Sequence, residues 1–416
     1  MKIILLIDAN FSKREYERFG LYEMLHEKIE VQVFDFRKLR MGGEGSEEGF
    51  EKDGYDYKIK RFVVLNSMNL EEISHEFKGV FIIDNRSGTY DKYTTFWFKS
   101  IGAYIVELDQ GLIPTSIWTP SFFDLIIILK NRFLNYGLKS VSSQVVKYVL
   151  RRLKSNNLSN ITPRCCDIKV CSGAISKCSS GEFEIRSHAF DYDVYLQQKK
   201  QNNVTINGNG NGNGNGNGNG NGNGNGNGNG NYAVFLDSGI VDHPDSKRLG
   251  SARAETDGTY YPAIRSFFDD FEKRMGMRVI IAIHPRIIIS KEIVRKFGDR
   301  EVILQNTSKL VKNSKMVIAH NSTAINFAVL WRIPLLIITT TLIDRTDYSV
   351  VRSIEDIFKT KRININKSYK DKDYIKISTA VVAQYDFYRE SLIKTPNSEK
   401  LSSATILIKG LKKYVQ

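Results

Sequence analysis

Two short runs in the C-terminal half carry side chains suited to holding phosphate: His284-Pro285-Arg286 and His320-Asn321-Ser322-Thr323. The first closes the apolar run RVIIAIH, and its proline stops the strand and fixes the turn. The imidazole and guanidinium are therefore expected at a sheet's rim. A histidine and an arginine there can hold a diphosphate, or a phosphate plus a carboxylate, through charge-assisted bonds. The plain alternative is a histidine that merely caps a strand end. The second run closes KMVIAH and opens the apolar-periodic stretch AINFAVLW. Ser322 or Thr323 can serve as N-cap, and the free backbone N–H groups and helix dipole favour an anion. An ordinary N-cap without a ligand is the plain alternative here. The recurrence of a rim histidine followed by such a turn points to a phosphate-bearing ligand.

The elements that must position these residues alternate as in a parallel sheet. Before residue 200, KIILLID, EVQVFDF, RFVVLNS, GVFIIDN, GAYIVEL and DIKVCSG recur at intervals with room for helices such as FGLYEMLHEK. An amphipathic run spans Ser142 to Lys154. After residue 231 come YAVFLDS, RVIIAIH, EVILQ, KMVIAH and PLLIITT, five strands with helices between. The expected fold class is α/β, two Rossmann-like doubly wound domains facing a central cleft, with ligands at the carboxyl ends of the strands.

The boundaries follow from composition. Residues 1–200 read as an N-terminal domain and 232–382 as a C-terminal domain that carries both phosphate-suited runs. Residues 383–416 form a closing segment that can return to the first domain. Between the domains, 201–231 hold an Asn-Gly repeat from Asn207 to Gly230 with no apolar side chain to bury and maximal backbone entropy to lose. It reads as a flexible linker without chemistry.

The formal charge is +14 over 416 residues, yet Lys and Arg are scattered, as in Lys199-Lys200 and Lys412-Lys413, which argues against a nucleic-acid partner. The excess attracts anions: sugar nucleotides, anionic glycolipids or an acidic inner-leaflet surface. A basic solvated surface is the bland alternative. The opening MKIILLIDAN reads as a first strand rather than an export signal, and the apolar run Leu125 to Leu129 is far short of the roughly 20 residues a span needs. A cytoplasmic protein, peripheral to the inner membrane, is expected. Cys165, Cys166, Cys171 and Cys178 cluster without a C-x-x-C pair, so reduced thiols are expected rather than zinc. No metal and no cofactor is expected.

The stretch from Tyr232 to Thr341 resembles bacterial surface-carbohydrate biosynthesis proteins of capsule, O-antigen or lipo-oligosaccharide (lipopolysaccharide) assembly. The quoted runs are YAVFLDSGIVDHPD, YYPAIRSFFDDFEKRMGMRVIIAIHPR and HNSTAINFAVLWRIPLLIITT. HAFDYDVYL, at His188 to Leu196, looks like a piece of the same group. More distantly, HP followed by a Ser-Thr turn is similar to bacterial sialyl-, polysialyl- and Kdo-transferases and polyglycerol-phosphate polymerases. The resemblance implies a metal-independent GT-B glycosyltransferase using a CMP- or CDP-activated donor, with residues 1–200 as the acceptor-binding and 232–382 as the nucleotide-sugar-binding domain. It places His284 on the donor phosphate, and Ser322 and Thr323 on phosphate at the helix start. The acidic-acidic-Gly motif of the sialyltransferases has its nearest match in Glu107-Leu108-Asp109-Gln110-Gly111, which departs from the pattern.

In such a transfer the acceptor hydroxyl must lose a proton as it attacks the anomeric carbon, and a carboxylate is the economical base. Asp8, Asp84 and Asp109, each at or just after a strand end, are the candidates. Asp237, His243 and Asp245 are expected to contact substrate or donor. The expected function is transfer of a sugar from a nucleotide-activated donor to a surface glycan or glycolipid. Its rivals are a nucleotide-sugar epimerase of the UDP-N-acetylglucosamine type and a non-catalytic scaffold of polysaccharide assembly.

Overall fold

The computed structural model of the chain describes residues 1–36, 59–64, 74–85, 92–134, 166–176, 183–207, 230–242 and 257–416, apart from 8–10, 12, 117, 122, 132–133 and 368. The body of the Asn-Gly repeat, the run 142–154, Asp8, His243, Asp245, Cys165 and Cys178 lie outside the described residues. The chain divides into two compact units. One comprises Met1–Leu112, Asn156–Asp193 and Lys394–Gln416; the other comprises Ile113–Ser155 and Val194–Ile393.

The first unit is built on seven parallel strands: β1 (Lys2–Ile7), β2 (Glu30–Asp35), β3 (Lys60–Val63), β4 (Phe81–Asp84), β5 (Tyr104–Asp109), β6 (Ile168–Cys171) and β7 (Phe183–Arg186). Their order is β3-β2-β1-β4-β5-β6-β7. The unbroken apolar run KIILLI is explained by burial on both faces. Ile3, Leu5 and Ile7 pack with Val31, Val33 and, from the closing helix α1 (Ser403–Tyr414), Ile406, Leu407 and Leu411. Ile4 and Leu6 pack on the other face with Phe34, Phe77 and Phe98. The closing helix lies so close to β7 that a Cβ at Gly410 would collide with the Ile185 side chain. Cys166 and Cys171 are buried free thiols.

The second unit has six parallel strands: β8 (Tyr232–Leu236), β9 (Arg278–Ala282), β10 (Val302–Ile303), β11 (Met316–Ala319), β12 (Leu335–Thr339) and β13 (Ile363–Asn364). Their order is β10-β9-β8-β11-β12-β13. The helix Asp257–Met275 covers one face, because Tyr260, Ile264, Phe267, Phe268 and Phe271 recur at helical spacing and are all buried. The Phe268 ring meets Phe235 of β8 edge-on at 5.1 Å.

In both sheets the first strand is central and the winding reverses beside it, between β1 and β4 and between β8 and β11. Both are thus Rossmann-like, doubly wound sheets, the architecture expected from the sequence. Each has one strand more than the sequence rhythm announced: the short edge strands β7 in the first and β13 in the second. The crevice at each reversal, beyond the carboxyl ends of the strands, is where such a sheet receives ligands.

Candidate functional site

In the second sheet the reversal is flanked by the loops after β8 and β11, with the loop after β9 alongside. Asp237 follows β8 directly and is buried. Its Oδ1 accepts the Gly239 N–H at 3.0 Å and its Oδ2 accepts the His284 N–H at 3.4 Å. Gly239 has φ 64°, a conformation that favours glycine and turns the chain back toward the carboxylate. Burial pushes the Asp237 carboxyl up to about 6; its two backbone hydrogen bonds oppose that rise and nearby Asp242 adds to it.

Asp242 ends the described part of this loop and is clasped in turn. The Tyr261 hydroxyl donates to its Oδ2 at 2.5 Å, and Lys296 Nζ donates to Oδ1 at 3.0 Å. The Lys296 ammonium also lies 5.4 Å from the Tyr261 ring centroid. The stretch Asp237–Asp242 is therefore held at both ends, to β9's exit by Asp237 and to Tyr261 and Lys296 by Asp242.

His284 is half-buried and leaves β9 in a turn closed by the Ile287 N–H donating to its carbonyl at 2.9 Å. The Arg286 N–H lies 3.3 Å from His284 Nδ1. As Nδ1 accepts a backbone N–H, the neutral ring carries its proton on Nε2. Pro285 and Arg286 are exposed. This group sits at the rim, as expected.

His320 does not. The sequence placed a second imidazole at the rim, but the side chain is completely buried beneath it. Nδ1 lies 2.7 Å from the Ile338 carbonyl and Nε2 lies 2.9 Å from the Tyr260 hydroxyl. A neutral ring satisfies both, with Nδ1–H donating to Ile338 and Nε2 accepting from Tyr260. Burial depresses the pKa to about 4, against the effect of the Ile338 bond, so the ring is uncharged near neutrality. His320 ties β11 to β12 and to the helix Asp257–Met275.

The turn after His320 also differs in detail. The helix it opens, Ile325–Trp331, is short, and its first amides are engaged internally. Ala324 N–H donates to Ser322 Oγ at 3.2 Å; Ile325, Asn326 and Phe327 N–H donate to the Ser322, Thr323 and Ala324 carbonyls. Asn321 and Ser322 are half-buried and Thr323 is exposed. What this turn presents is its side chains rather than a row of open amides.

Two hydroxyls the sequence reading passed over stand at the same edge. Ser238 Oγ, after β8, and Thr339 Oγ1, the last residue of β12, are buried without a hydrogen-bond partner. Buried hydroxyls normally find partners, so each marks a position where a polar group is missing. The signal in the sequence was a hydroxyl residue at the end of an apolar run, in LDS and IITT.

Of the acids considered for proton transfer, Asp84 ends β4 beside the reversal of the first sheet, in register with Leu6, and is half-buried. Asp109 ends β5, one strand further out. Its carboxylate accepts the Ser176 hydroxyl and lies 3.7 Å from Lys169 Nζ, which also pairs with Glu107 at 3.4 Å. Gln110, next to it, is buried and donates to the Ser187 hydroxyl and the His188 carbonyl. The Glu107-to-Gly111 stretch is thus largely occupied with its own sheet. Among the described residues no group of three or more His, Cys, Asp or Glu side chains could hold a metal.

No family model matches the sequence, and no curated protein matches it either. Solved structures resemble it at low identity. MurG of Acinetobacter baumannii is 6% identical with a TM-score of 0.47, over 99% of this chain and 100% of that one. The wall teichoic acid polymerase TagF is 11% identical with a TM-score of 0.47, over 100% of this chain and 88% of that one. The UDP-GlcNAc 2-epimerase of Methanocaldococcus jannaschii is 11% identical with a TM-score of 0.45, over the whole of both chains.

Proposed function

We propose that this chain is a glycosyltransferase that moves a sugar from a nucleotide-activated donor to a bacterial surface glycan or glycolipid. The observation that carries the reading is the edge of the second sheet. Along the carboxyl edge that contains the β8/β11 reversal, a half-buried histidine and an exposed arginine follow β9, a buried hydroxyl without a partner follows β8, and a second such hydroxyl ends β12. Cationic and hydroxyl groups fixed at such an edge suit a diphosphate or a phosphate ester.

In this reading His284 Nε2–H and Arg286 bind the donor phosphate and offset the charge that develops on the leaving group. Asn321, Ser322 and Thr323 contact the donor through their side chains. Asp237 acts through position, holding the His284 backbone, and His320 does so from below. His243 and Asp245 follow the clasped loop and are assigned to substrate contacts. For the base we favour Asp84, at the first sheet's reversal, over Asp109, whose carboxylate is engaged; Asp8, next in sequence after β1, stays in the assignment. The CMP character of the donor rests on the sequence resemblance alone.

The test is a thermal-shift series of the purified protein against CMP, CDP, UDP, GDP and dTDP, because a ligand that binds only the folded state raises the melting temperature. One nucleotide should stabilise the wild type and leave His284→Ala unmoved. If none does, the scaffold reading replaces this one; turnover of a nucleotide sugar without acceptor would favour an epimerase.

A further inference from the structure

Away from the donor edge, the second unit presents an apolar helix to solvent. Residues 123–131 are helical. The helix is opened by a reciprocal cap: the Ser121 N–H and hydroxyl donate to Asp124 Oδ2 at 2.9 and 2.6 Å, and the Asp124 N–H donates back to Ser121 Oγ at 3.2 Å. Asp124 is also bound to the helix Tyr348–Phe358 of the same unit, accepting the Tyr348 hydroxyl at 2.7 Å with Arg352 Nε at 3.6 Å. Just upstream, Trp118 Nε1–H donates to Asp356 Oδ2 at 2.7 Å. Burial raises the Asp124 pKa, but the hydrogen bonds from Ser121 and Tyr348, together with Arg352, bring it below its ordinary value. One side of the helix is thus pinned down by polar bonds.

The other side is exposed and apolar. Phe123, Ile126, Ile127 and Leu134 are 75, 47, 37 and 56% exposed, and exposed Lys130 falls among them. These positions follow i, i+3, i+4, i+7 and i+11, a single stripe along a helix. A concentration of large exposed apolar side chains marks an interaction surface.

Charge identifies the partner. Between Leu125 and Cys166 the sequence holds eight Lys and Arg residues and no Asp or Glu, more than half the chain's net charge of +14 in about a tenth of its length. Basic residues are scattered over the chain as a whole, but here no acidic residue is interspersed with them in the sequence. An apolar helical stripe followed in sequence by basic residues with no acidic ones among them suits a helix lying in the plane of an acidic membrane surface. Among the described residues no helix is long and apolar enough to cross a membrane, so the contact is with the surface.

We infer that the helix 123–131 docks the protein on an anionic lipid bilayer. Phe123, Ile126 and Ile127 enter the headgroup–acyl boundary, and exposed Lys130 supplies attraction to acidic headgroups. The inference does not depend on the donor-site reading, and its test reads binding rather than turnover.

The full chain is sedimented with vesicles of phosphatidylcholine alone and with vesicles containing one-third phosphatidylglycerol. Binding is expected only to the second, weakening as salt screens the charges. The double variant Phe123→Ser with Ile127→Ser should bind about tenfold more weakly or worse, for lack of buried apolar area. Lys130→Glu, a change at an exposed position, should also weaken it. Melting temperatures of the variants, with and without nucleotide, report folding and the donor site separately. Equal binding to both vesicle types, no binding by the wild type, or undiminished binding by the double variant overturns the inference. So does a lipid-free wild-type dimer that the double variant abolishes, since the stripe then joins two copies of the chain.

Discussion

The Oδ2 atom of Asp237 accepts the backbone N–H of His284, so a buried carboxylate fixes where the His-Pro-Arg turn leaves the sheet. The main-chain ladder stops one step earlier, with the Asp237 N–H donating to the Ala282 carbonyl at 3.0 Å. Sequence inspection treats Asp237 and His284 as separate contacts; physically they are one device.

That device has a pH signature. The carboxyl is raised from an ordinary 3.8 to about 6, so the folded state keeps a proton that the unfolded chain has lost. Its stabilising contribution is complete below the unfolded value and is lost as pH rises through about 6, amounting to about 3 kcal/mol. Asp237→Asn should remove this contribution. Urea unfolding of wild type and variant from pH 4 to 7 measures it: a difference in stability that does not change across that window refutes the assignment.

His320 runs the other way. Its pKa falls from 6.5 to about 4, so its contribution is present above 6.5 and is lost as pH falls through about 4, again about 3 kcal/mol. Between pH 4 and 6 the two buried groups oppose each other, and the wild type should respond weakly. Asp237→Asn should then lose stability toward acid, whereas His320→Phe should gain it. At pH 7 His320→Phe should also cost roughly 2–4 kcal/mol, because the Tyr260 hydroxyl and Ile338 carbonyl lose their partner. Parallel pH profiles for the two variants would sink this account.

Gly410 tests the closing helix. Alanine is the better helix former by about 1 kcal/mol, yet its Cβ would collide with Ile185 on β7. Overpacking of a filled contact costs roughly 1–3 kcal/mol, so the collision should outweigh the propensity. Gly410→Ala is expected to lower the midpoint of urea unfolding, and Gly410→Ala with Ile185→Ala to regain part of the loss. A stabilised single variant would mean that the helix does not press on β7.

Much of the fold was legible because parallel strands buried on both faces announce themselves as unbroken apolar runs, as in KIILLI and LLIIT. The edge strands β7 and β13 were not, since FEIR and IN are too short and too polar to stand out. At the site, the proline after His284 signalled a rim position correctly. His320 ends an equally convincing strand but is followed by no proline, and what buries it is Tyr260, sixty residues away in sequence. The value of Ser238 and Thr339 was hidden for a related reason: a missing partner becomes visible only when the surroundings of a hydroxyl are known.

Those hydroxyls supply the sharpest test of the site. A buried hydroxyl without a partner costs roughly 1–3 kcal/mol, so its removal should relieve the free protein. Ser238→Ala is therefore expected to raise the melting temperature without ligand. If the hydroxyl is kept for the donor, the same change should weaken nucleotide binding several-fold, the exchange of function for stability seen at built sites. Calorimetric titration with whichever nucleotide stabilises the wild type reads the second effect, and thermal unfolding reads the first. A variant that is more stable and binds as tightly would show that Ser238 is only a packing defect and would shift the donor contacts toward Asn321, Ser322 and Thr323; one that loses stability would show that its hydroxyl already has a partner in the folded chain.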